Sequence, residues 1–257
     1  MRRRPPRPRI IPTLLIDRSG ALVKTVRFRR RTYLGDPVNA VRIFNLKEVD
    51  ELILLDIDAT RDGRPPNFER IEAIASEAFL PLAYGGGLRD LDAASRAFDC
   101  GVEKVVLTSC LTGGPWLIEA AAARYGSQAI VACLPVKAYW RRRRVHLPAG
   151  GAPMISDPAA AAKAAVDAGA GELLIYAVDR DGTYAGYDLP LLADIAAQVD
   201  APVVACGGAR GVEDFAAAVD QAGCAAAAAG SVFLFQAKGR GALISYPSRE
   251  AVEAAWA

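Results

Sequence analysis

The same glycine-rich turn occurs twice in this chain, each time directly after a short apolar run. Gly86 in "AYGGGLRD" and Gly207 in "VACGGARG" are separated by 121 positions, and a glutamate and a proline that precede each turn repeat at the same interval. Matching residues at a matching spacing indicate an internal duplication. The sequence therefore predicts two equivalent halves, over about residues 9–125 and 129–245.

Eight apolar, β-rich runs alternate with helix-like segments along the chain. The runs are 9–16, 51–57, 81–84, 103–108, 129–136, 172–178, 202–206 and 225–231. Continuous apolar strands separated by helices indicate a parallel sheet that is covered on its outer face. Two four-strand halves in 257 residues fit one (β/α)8 TIM barrel domain spanning residues 1–257 better than a doubly wound sheet.

Composition argues against several classes of function. The single histidine and the five scattered cysteines, without a CxxC pair, predict neither a metal site nor a disulfide framework, and no cofactor is expected. No apolar run reaches the roughly 18 residues that cross a membrane. The basic N-terminus lacks a following apolar segment, which favours a cytoplasmic protein. Nucleic-acid binding is not expected, because aromatic residues do not interleave with the arginine runs.

The repeated turns predict two anion sites. In a (β/α)8 barrel, chemistry takes place at the C-terminal ends of the strands, where both turns fall. Glycine lets backbone N–H groups approach an anion without interference from a Cβ atom. The alternative is that both are merely tight turns. We predict a phosphorylated small-molecule substrate that spans the barrel mouth, bound by Gly86, Gly87, Thr108, Ser109, Gly182, Thr183, Gly207, Gly208, Gly230 and Ser231.

Four charged residues stand where strands begin, at the opposite end of the barrel. They are Arg9, Glu51, Lys104 and Glu172. Two acids and two bases at this level could form a closed ring of ion pairs, because desolvating them is costly unless each charge is paired. The ring could be a polar plug that caps the core, or a gate for passage through the barrel.

Carboxylates follow two of the strands at the mouth. Asp56 and Asp58 end the second strand, and Asp179 and Asp181 follow the sixth. We predict that Asp56 and Asp181 act on reacting groups or water, and that Asp58 and Asp179 bind the substrate. The alternative is capping and salt bridging.

Long segments resemble HisF, the cyclase subunit of imidazole glycerol phosphate synthase. They include "GALVKTVRF", "DELILLDIDAT", "YGGGLRD", "GVEKVVLTS", "GELLIYAVDRDGTYAGYDLPL" and "AAGSVF". The resemblance covers nearly the whole chain and implies a barrel that receives ammonia from a HisH-like glutaminase docked below it. It implies that the ring of Arg9, Glu51, Lys104 and Glu172 is the ammonia gate. It also implies that Lys24 is the mobile-loop lysine that closes over the substrate.

The chain departs from this family at its two catalytic aspartates. Leu15 and Pro135 stand at those positions, and neither can transfer a proton. Asp17 lies two residues beyond Leu15 on the same side of the strand and is a candidate replacement. His146 lies in "RRRRVHLPAGG", which we predict to be an irregular flap, and no catalytic role is assigned to it.

Other details resemble a divergent HisF-like branch that is linked to bacterial surface-polysaccharide genes. That resemblance implies amidination of a sugar, with an ATP-dependent amidotransferase as a further partner. Two alternatives stay open: an authentic cyclase of histidine biosynthesis, and a non-catalytic scaffold that only conducts ammonia.

Overall fold

The computed structural model describes residues 9–108, 115–140, 142–147, 157–235 and 241–255. In chain order its strands are β1 (Arg9–Ile16), β2 (Leu22–Val26), β3 (Arg30–Gly35), β4 (Leu52–Asp56), β5 (Leu82–Gly85), β6 (Lys104–Leu107), β7 (Ile130–Tyr139), β8 (Arg142–Val145), β9 (Glu172–Ala177), β10 (Val203–Cys206) and β11 (Ala226–Ala229). The helices are α1 (Pro37–Leu46), α2 (Phe68–Ala75), α3 (Leu91–Asp99), α4 (Trp116–Tyr125), α5 (Pro158–Asp167), α6 (Leu189–Ala196), α7 (Val212–Asp220), α8 (Ser231–Leu234) and α9 (Arg249–Ala255).

Eight of these strands close into a parallel barrel. The pairing runs β1–β4–β5–β6–β7–β9–β10–β11 and returns from β11 to β1, with Ile10 opposite Ala227. The (β/α)8 fold is therefore confirmed. All eight predicted apolar runs are barrel strands, because a strand that is buried on both faces needs apolar residues at consecutive positions.

The barrel strands separate two layers of core. Outward-facing residues such as Leu14, Leu54 and Leu173 pack with the surrounding helices. Inward-facing residues form a second apolar cluster that includes Ile11, Ile53, Val106, Val131, Leu174 and Val204. Several helices begin at a capping aspartate; the Asp90 side chain, for example, accepts a hydrogen bond from the backbone N–H of Ala93 at the start of α3.

Two antiparallel hairpins rise from the mouth of the barrel. One consists of β2 and β3, and β2 also pairs with the end of β1. The other is formed by the extension of β7 and by β8, with Tyr139 opposite Arg142. The prediction that this second region is irregular is wrong for residues 142–145, because pairing of the main chain with β7 needs no apolar side chains. Residues 148–156 lie outside the described part.

The two glycine turns have the same local geometry. Gly86 has φ +121° and Gly207 has φ +94°. A Cβ atom on Gly86 would lie 2.4 Å from the Asp56 carbonyl oxygen, and one on Gly207 would lie 2.7 Å from that of Ala177. Each turn therefore packs against the end of the preceding barrel strand, and only glycine fits there. The correspondence is consistent with two duplicated halves, which remain a prediction.

Among the described residues, no helix has the length and apolarity required to span a membrane.

Candidate active site

A cavity of about 440 Å³ opens at the C-terminal ends of the barrel strands. Its wall is largely apolar, and it includes Leu15 on β1 and Pro135 on β7. Leu15 is only 1% exposed. The positions where the HisF resemblance expects catalytic aspartates therefore lie in the mouth, but they present hydrocarbon to it.

Asp17 is used in the turn that follows β1. Its Oδ1 accepts hydrogen bonds from the Ser19 hydroxyl at 2.6 Å and from the backbone N–H groups of Ser19 and Ala21 at 2.9 and 3.2 Å. Burial raises its pKa, but these hydrogen bonds outweigh that effect and the pKa is lowered overall. Asp17 is not part of the cavity wall, so its predicted catalytic role gains no support from its position.

Lys24 and Asp181 meet across the mouth in an almost fully buried ion pair. The Lys24 Nζ lies 2.7 Å from Asp181 Oδ1, which also accepts from the Tyr176 hydroxyl at 3.1 Å. The Thr25 hydroxyl donates to Asp181 Oδ2 at 2.6 Å, and the backbone N–H of Arg27 donates to the Asp181 carbonyl. We call the contacts of Lys24, Thr25 and Arg27 with Asp181 the mouth latch, because they hold the β2–β3 hairpin over the barrel.

The latch lies beside the second predicted anion site. A narrow cavity of about 10 Å³ is lined by residues that include Gly182, Gly207, Gly208, Gly230 and Ser231. A Cβ atom placed on Gly230 would lie 3.2 Å from the Lys24 ammonium nitrogen. The structure thus brings Lys24 to this glycine cluster. Thr183 lies apart from the cavity wall, and its hydroxyl donates to the Arg180 carbonyl at 2.7 Å.

The first predicted anion site is wider and differently arranged. Gly86, Gly87 and Thr108 line the large cavity. The backbone N–H of Gly87 already donates to the Thr60 hydroxyl at 3.1 Å, so this amide is not free to hold an anion. Ser109, also predicted here, lies outside the described residues.

Three of the four mouth carboxylates accept from arginines or from backbone N–H groups in this structure. Asp56 Oδ1 accepts from the backbone N–H groups of Asp58 and Ala59 and from Arg64 at 2.9 Å; burial raises its pKa. Asp58 is bound by arginines, and Asp179 accepts from the backbone N–H of Ala138 at 2.7 Å. Each therefore makes the capping or salt-bridging contacts that are the alternative to a role in catalysis or substrate binding.

The four charges at the base form a closed ring of ion pairs. Arg9 contacts Glu51 at 2.5 Å and also pairs with Glu172. Lys104 contacts Glu51 at 2.8 Å and Glu172 at 3.0 Å. Both glutamates are buried, and each is paired with both bases. The predicted ring geometry is thus present, whereas its role as a gate remains a prediction.

No group of histidine, cysteine and acidic side chains suited to holding a metal ion occurs within the described ranges. Cys133 and Cys206 are free and lie among the inward-facing residues of the barrel. Burial raises the pKa of Cys133 to about 12, so its thiol stays protonated at neutral pH. Cys110 lies outside the described part.

Sequence reasoning missed several residues of the mouth. The Thr60 hydroxyl accepts the hydrogen bond from the Gly87 backbone N–H. Thr60 is 121 positions before Asp181, and the internal repeat could have identified it. Arg31 and Arg61 also line the large cavity. No pattern within the sequence marks Arg31, because its position depends on Asp58, a carboxylate that is distant from it along the chain.

Comparison of the sequence with those of known proteins shows the family of this chain. The family model described as histidine biosynthesis protein matches residues 9–238. The chain belongs to this family as a HisF-type member. A Pseudomonas aeruginosa protein provisionally named imidazole glycerol phosphate synthase subunit hisF2 is 45% identical over 242 residues, or 94% of this chain and 96% of its own length.

Other HisF-type relatives cover the chain almost as fully. A Vibrio vulnificus protein provisionally named imidazole glycerol phosphate synthase subunit hisF3 is 44% identical over 94% of each chain. A Lacticaseibacillus paracasei protein named imidazole glycerol phosphate synthase subunit HisF is 38% identical over 88% of this chain and 90% of its own length. The similarity therefore spans the barrel as a whole, including both hairpins.

Proposed function

We propose that this chain is the ammonia-receiving subunit of a glutamine amidotransferase complex. A HisH-like glutaminase docks at the base of the barrel, and ammonia passes the ring of Arg9, Glu51, Lys104 and Glu172 on its way to the mouth. The observation that carries the proposal is the closed ring itself, whose opening would connect the base to the barrel interior.

Features of the interior and of the base support this route. Thr13 lies between Ile11 and Leu15 on the inward face of β1, and its hydroxyl contacts the Cys206 thiol. Apart from this contact with the thiol, the buried hydroxyl makes no hydrogen bond among the described residues, and it can bind a small polar molecule in transit. At the base, Leu46 and Phe79 are 84% and 86% exposed, which suits a surface that a partner covers.

At the mouth, we propose that the barrel relays ammonia rather than cyclising a nucleotide. Of the β1 and β7 side chains that line the cavity, Leu15 and Pro135 carry no proton to transfer, and burial keeps the Cys133 thiol protonated at neutral pH. Each proton-transfer group contributes about 10²–10⁴-fold to a rate. The resemblance to the polysaccharide-linked branch favours amidination of a phosphorylated sugar, with an ATP-dependent amidotransferase as the third component. An authentic cyclase is the competing function. A non-catalytic scaffold would differ from the relay in binding no substrate at the mouth.

The first test supplies the purified chain with ammonium chloride and the bis-phosphorylated nucleotide substrate of imidazole glycerol phosphate synthase. We expect turnover at least about 100-fold below that of a HisF that retains both aspartates. Turnover at an ordinary enzymatic rate would contradict the relay and establish a cyclase.

The second test addresses the gate in the complex with a HisH-type glutaminase and the ATP-dependent amidotransferase that forms the amidinated product. Lys104→Ala should lower the product formed per glutamine hydrolysed, while product formation from ammonium chloride stays unchanged. Lys163→Ala, at an exposed position of α5, is the matched control. An unchanged ratio in Lys104→Ala would contradict the gate.

A further inference from the structure

Two arginines face the barrel mouth from different segments. Arg31 lies on β3, and Arg61 lies in the loop that follows β4; both line the large cavity. Their side chains are 32% and 42% exposed. They are therefore accessible from the cavity, and they belong to neither of the glycine-rich turns.

One buried carboxylate fixes both guanidinium groups. Asp58 is 0% exposed, and its two oxygens each lie 2.6 Å from an Nη atom of Arg31, which is bidentate pairing. Arg61 Nη2 lies 2.5 Å from Asp58 Oδ1. The hydrogen bonds from Arg31, followed by burial, which acts in the opposite direction, give Asp58 a lowered pKa. The carboxylate is thus ionised and holds the two cations in place.

This arrangement leaves free donors at the cavity. Asp58 pairs with both guanidinium groups, and Arg61 Nε also contacts Asp62 Oδ1 at 3.4 Å, so two carboxylates balance the two cations. Each guanidinium has five N–H donors, and the bidentate pair with Asp58 uses only two of those on Arg31. A guanidinium group is planar and always charged, and the arrangement of its N–H donors matches the geometry of carboxylate and phosphate groups.

The nearby glycine turn is less suited to the same task. The Gly87 amide donates to Thr60, which removes one of the backbone donors that an anion would need. Leu15, Leu55 and Pro135 provide an apolar wall in the same cavity. A ligand with an anionic group and an apolar body would match both features.

We propose that Arg31 and Arg61, held by Asp58, form an arginine clamp that binds a carboxylate or phosphate group of the ligand in the barrel mouth. The inference rests on the proposed function only in taking this mouth as the substrate site. Binding by the clamp requires neither ammonia nor turnover, so failure of the clamp can be distinguished from failure of the proposed function.

The test measures binding of three probes to the full chain: phenyl phosphate, benzoate and the neutral benzyl alcohol. Affinities are compared for the unmodified protein, Arg31→Gln and Arg61→Gln. The control is Arg42→Gln, because Arg42 forms an equally bidentate pair with Glu77, at 2.9 and 2.6 Å, outside the cavity.

We expect each clamp variant to bind at least one anionic probe about tenfold or more weakly, which corresponds to about 1.4 kcal/mol. Benzyl alcohol binding and the Arg42→Gln affinities should not change. A loss confined to phenyl phosphate or to benzoate supports the clamp and identifies the anion. Unchanged anion affinities, or an equal loss for benzyl alcohol, would overturn the proposal.

Arg31→Gln removes two hydrogen bonds from a buried carboxylate and could impair folding. The double variant Arg31→Gln/Asp58→Asn removes both charges together, and circular dichroism checks its fold. In the unmodified protein, the ¹⁵Nε signals of Arg31 and Arg61, assigned with the single variants, should shift on addition of phenyl phosphate. Signals that stay in place would also overturn the clamp.

Discussion

Lys24 on β2 and Asp181 after β9 form a 2.7 Å ion pair in which the two side chains are only 3% and 2% exposed. The pair ties a hairpin from the start of the chain to a loop that is 157 positions away. Because the hairpin lies over the mouth, this one contact couples the entrance of the site to the stability of the barrel.

Breaking this pair should destabilise the protein strongly. Lys24→Met leaves Asp181 buried without its cation, and removal of one partner from a buried pair costs about 3–5 kcal/mol. For a chain of this size the melting temperature should fall by about 6–20 °C, measured by differential scanning calorimetry. Arg249→Gln removes an exposed pair with Glu253 and should have little effect. Equal changes in the two variants would refute the interpretation.

Asp58 should make stability depend on pH in acid. Its pKa in the folded protein lies below 3.8, first because of the hydrogen bonds from Arg31. Its contribution is therefore complete above pH 3.8 and is lost as the pH falls through the lowered pKa. Urea unfolding of Asp58→Asn should show a lower unfolding free energy at pH 7 and a shallower decline in acid. Asp200→Asn, at an exposed position, should retain the full decline.

The two glycine turns should respond alike to a methyl group. Gly86→Ala and Gly207→Ala combine a positive φ with contacts of 2.4 and 2.7 Å to backbone oxygens, and we expect losses of about 3 kcal/mol or more. Gly35 has φ +118° but open space around its Cβ position, so Gly35→Ala isolates the strain of the backbone and should cost less. Losses of equal size in all three would show that the contacts contribute nothing.

His146 offers an unambiguous NMR signal, because it is the only histidine. Burial, followed by the charge of Lys137, lowers its pKa below 6.5, and its Nδ1 lies 2.8 Å from the Tyr139 hydroxyl. Its titration midpoint should therefore lie below 6.5 and rise in Lys137→Gln, with Lys163→Gln as the control. Since the unfolded chain takes up the proton at higher pH, protein stability should decrease as the pH falls through this range.

The fold could be predicted more completely than the site. Continuous apolar runs such as that of Arg9–Ile16 are informative because both faces of a barrel strand are buried. The hairpin strands Arg30–Gly35 and Arg142–Val145 are rich in arginine and largely exposed. Main-chain pairing holds them in place, and their side chains give no periodic signal.

The contacts at the base of the barrel could also be predicted from the sequence, whereas fewer of those at the mouth could. The ring could be predicted because its members occupy the same level of neighbouring and opposing strands. At the mouth, side-chain contacts are set by loops and hairpins. Loop conformations, which strand spacing does not determine, set two of these contacts. They are the hydrogen bond between Ser19 and Asp17 and the pairing of Asp58 with Arg31 and Arg61.

The ring at the base is electrically balanced only in the complete chain. β1, β4 and β6 contribute both bases and one acid, and Glu172 on β9 contributes the other acid. A split version of this protein that separates β9 from the earlier strands would leave an excess cation in the larger piece until the two pieces recombine. Reassembly of such fragments should therefore be favoured by low ionic strength, and circular permutants should tolerate new termini as long as all four strands meet.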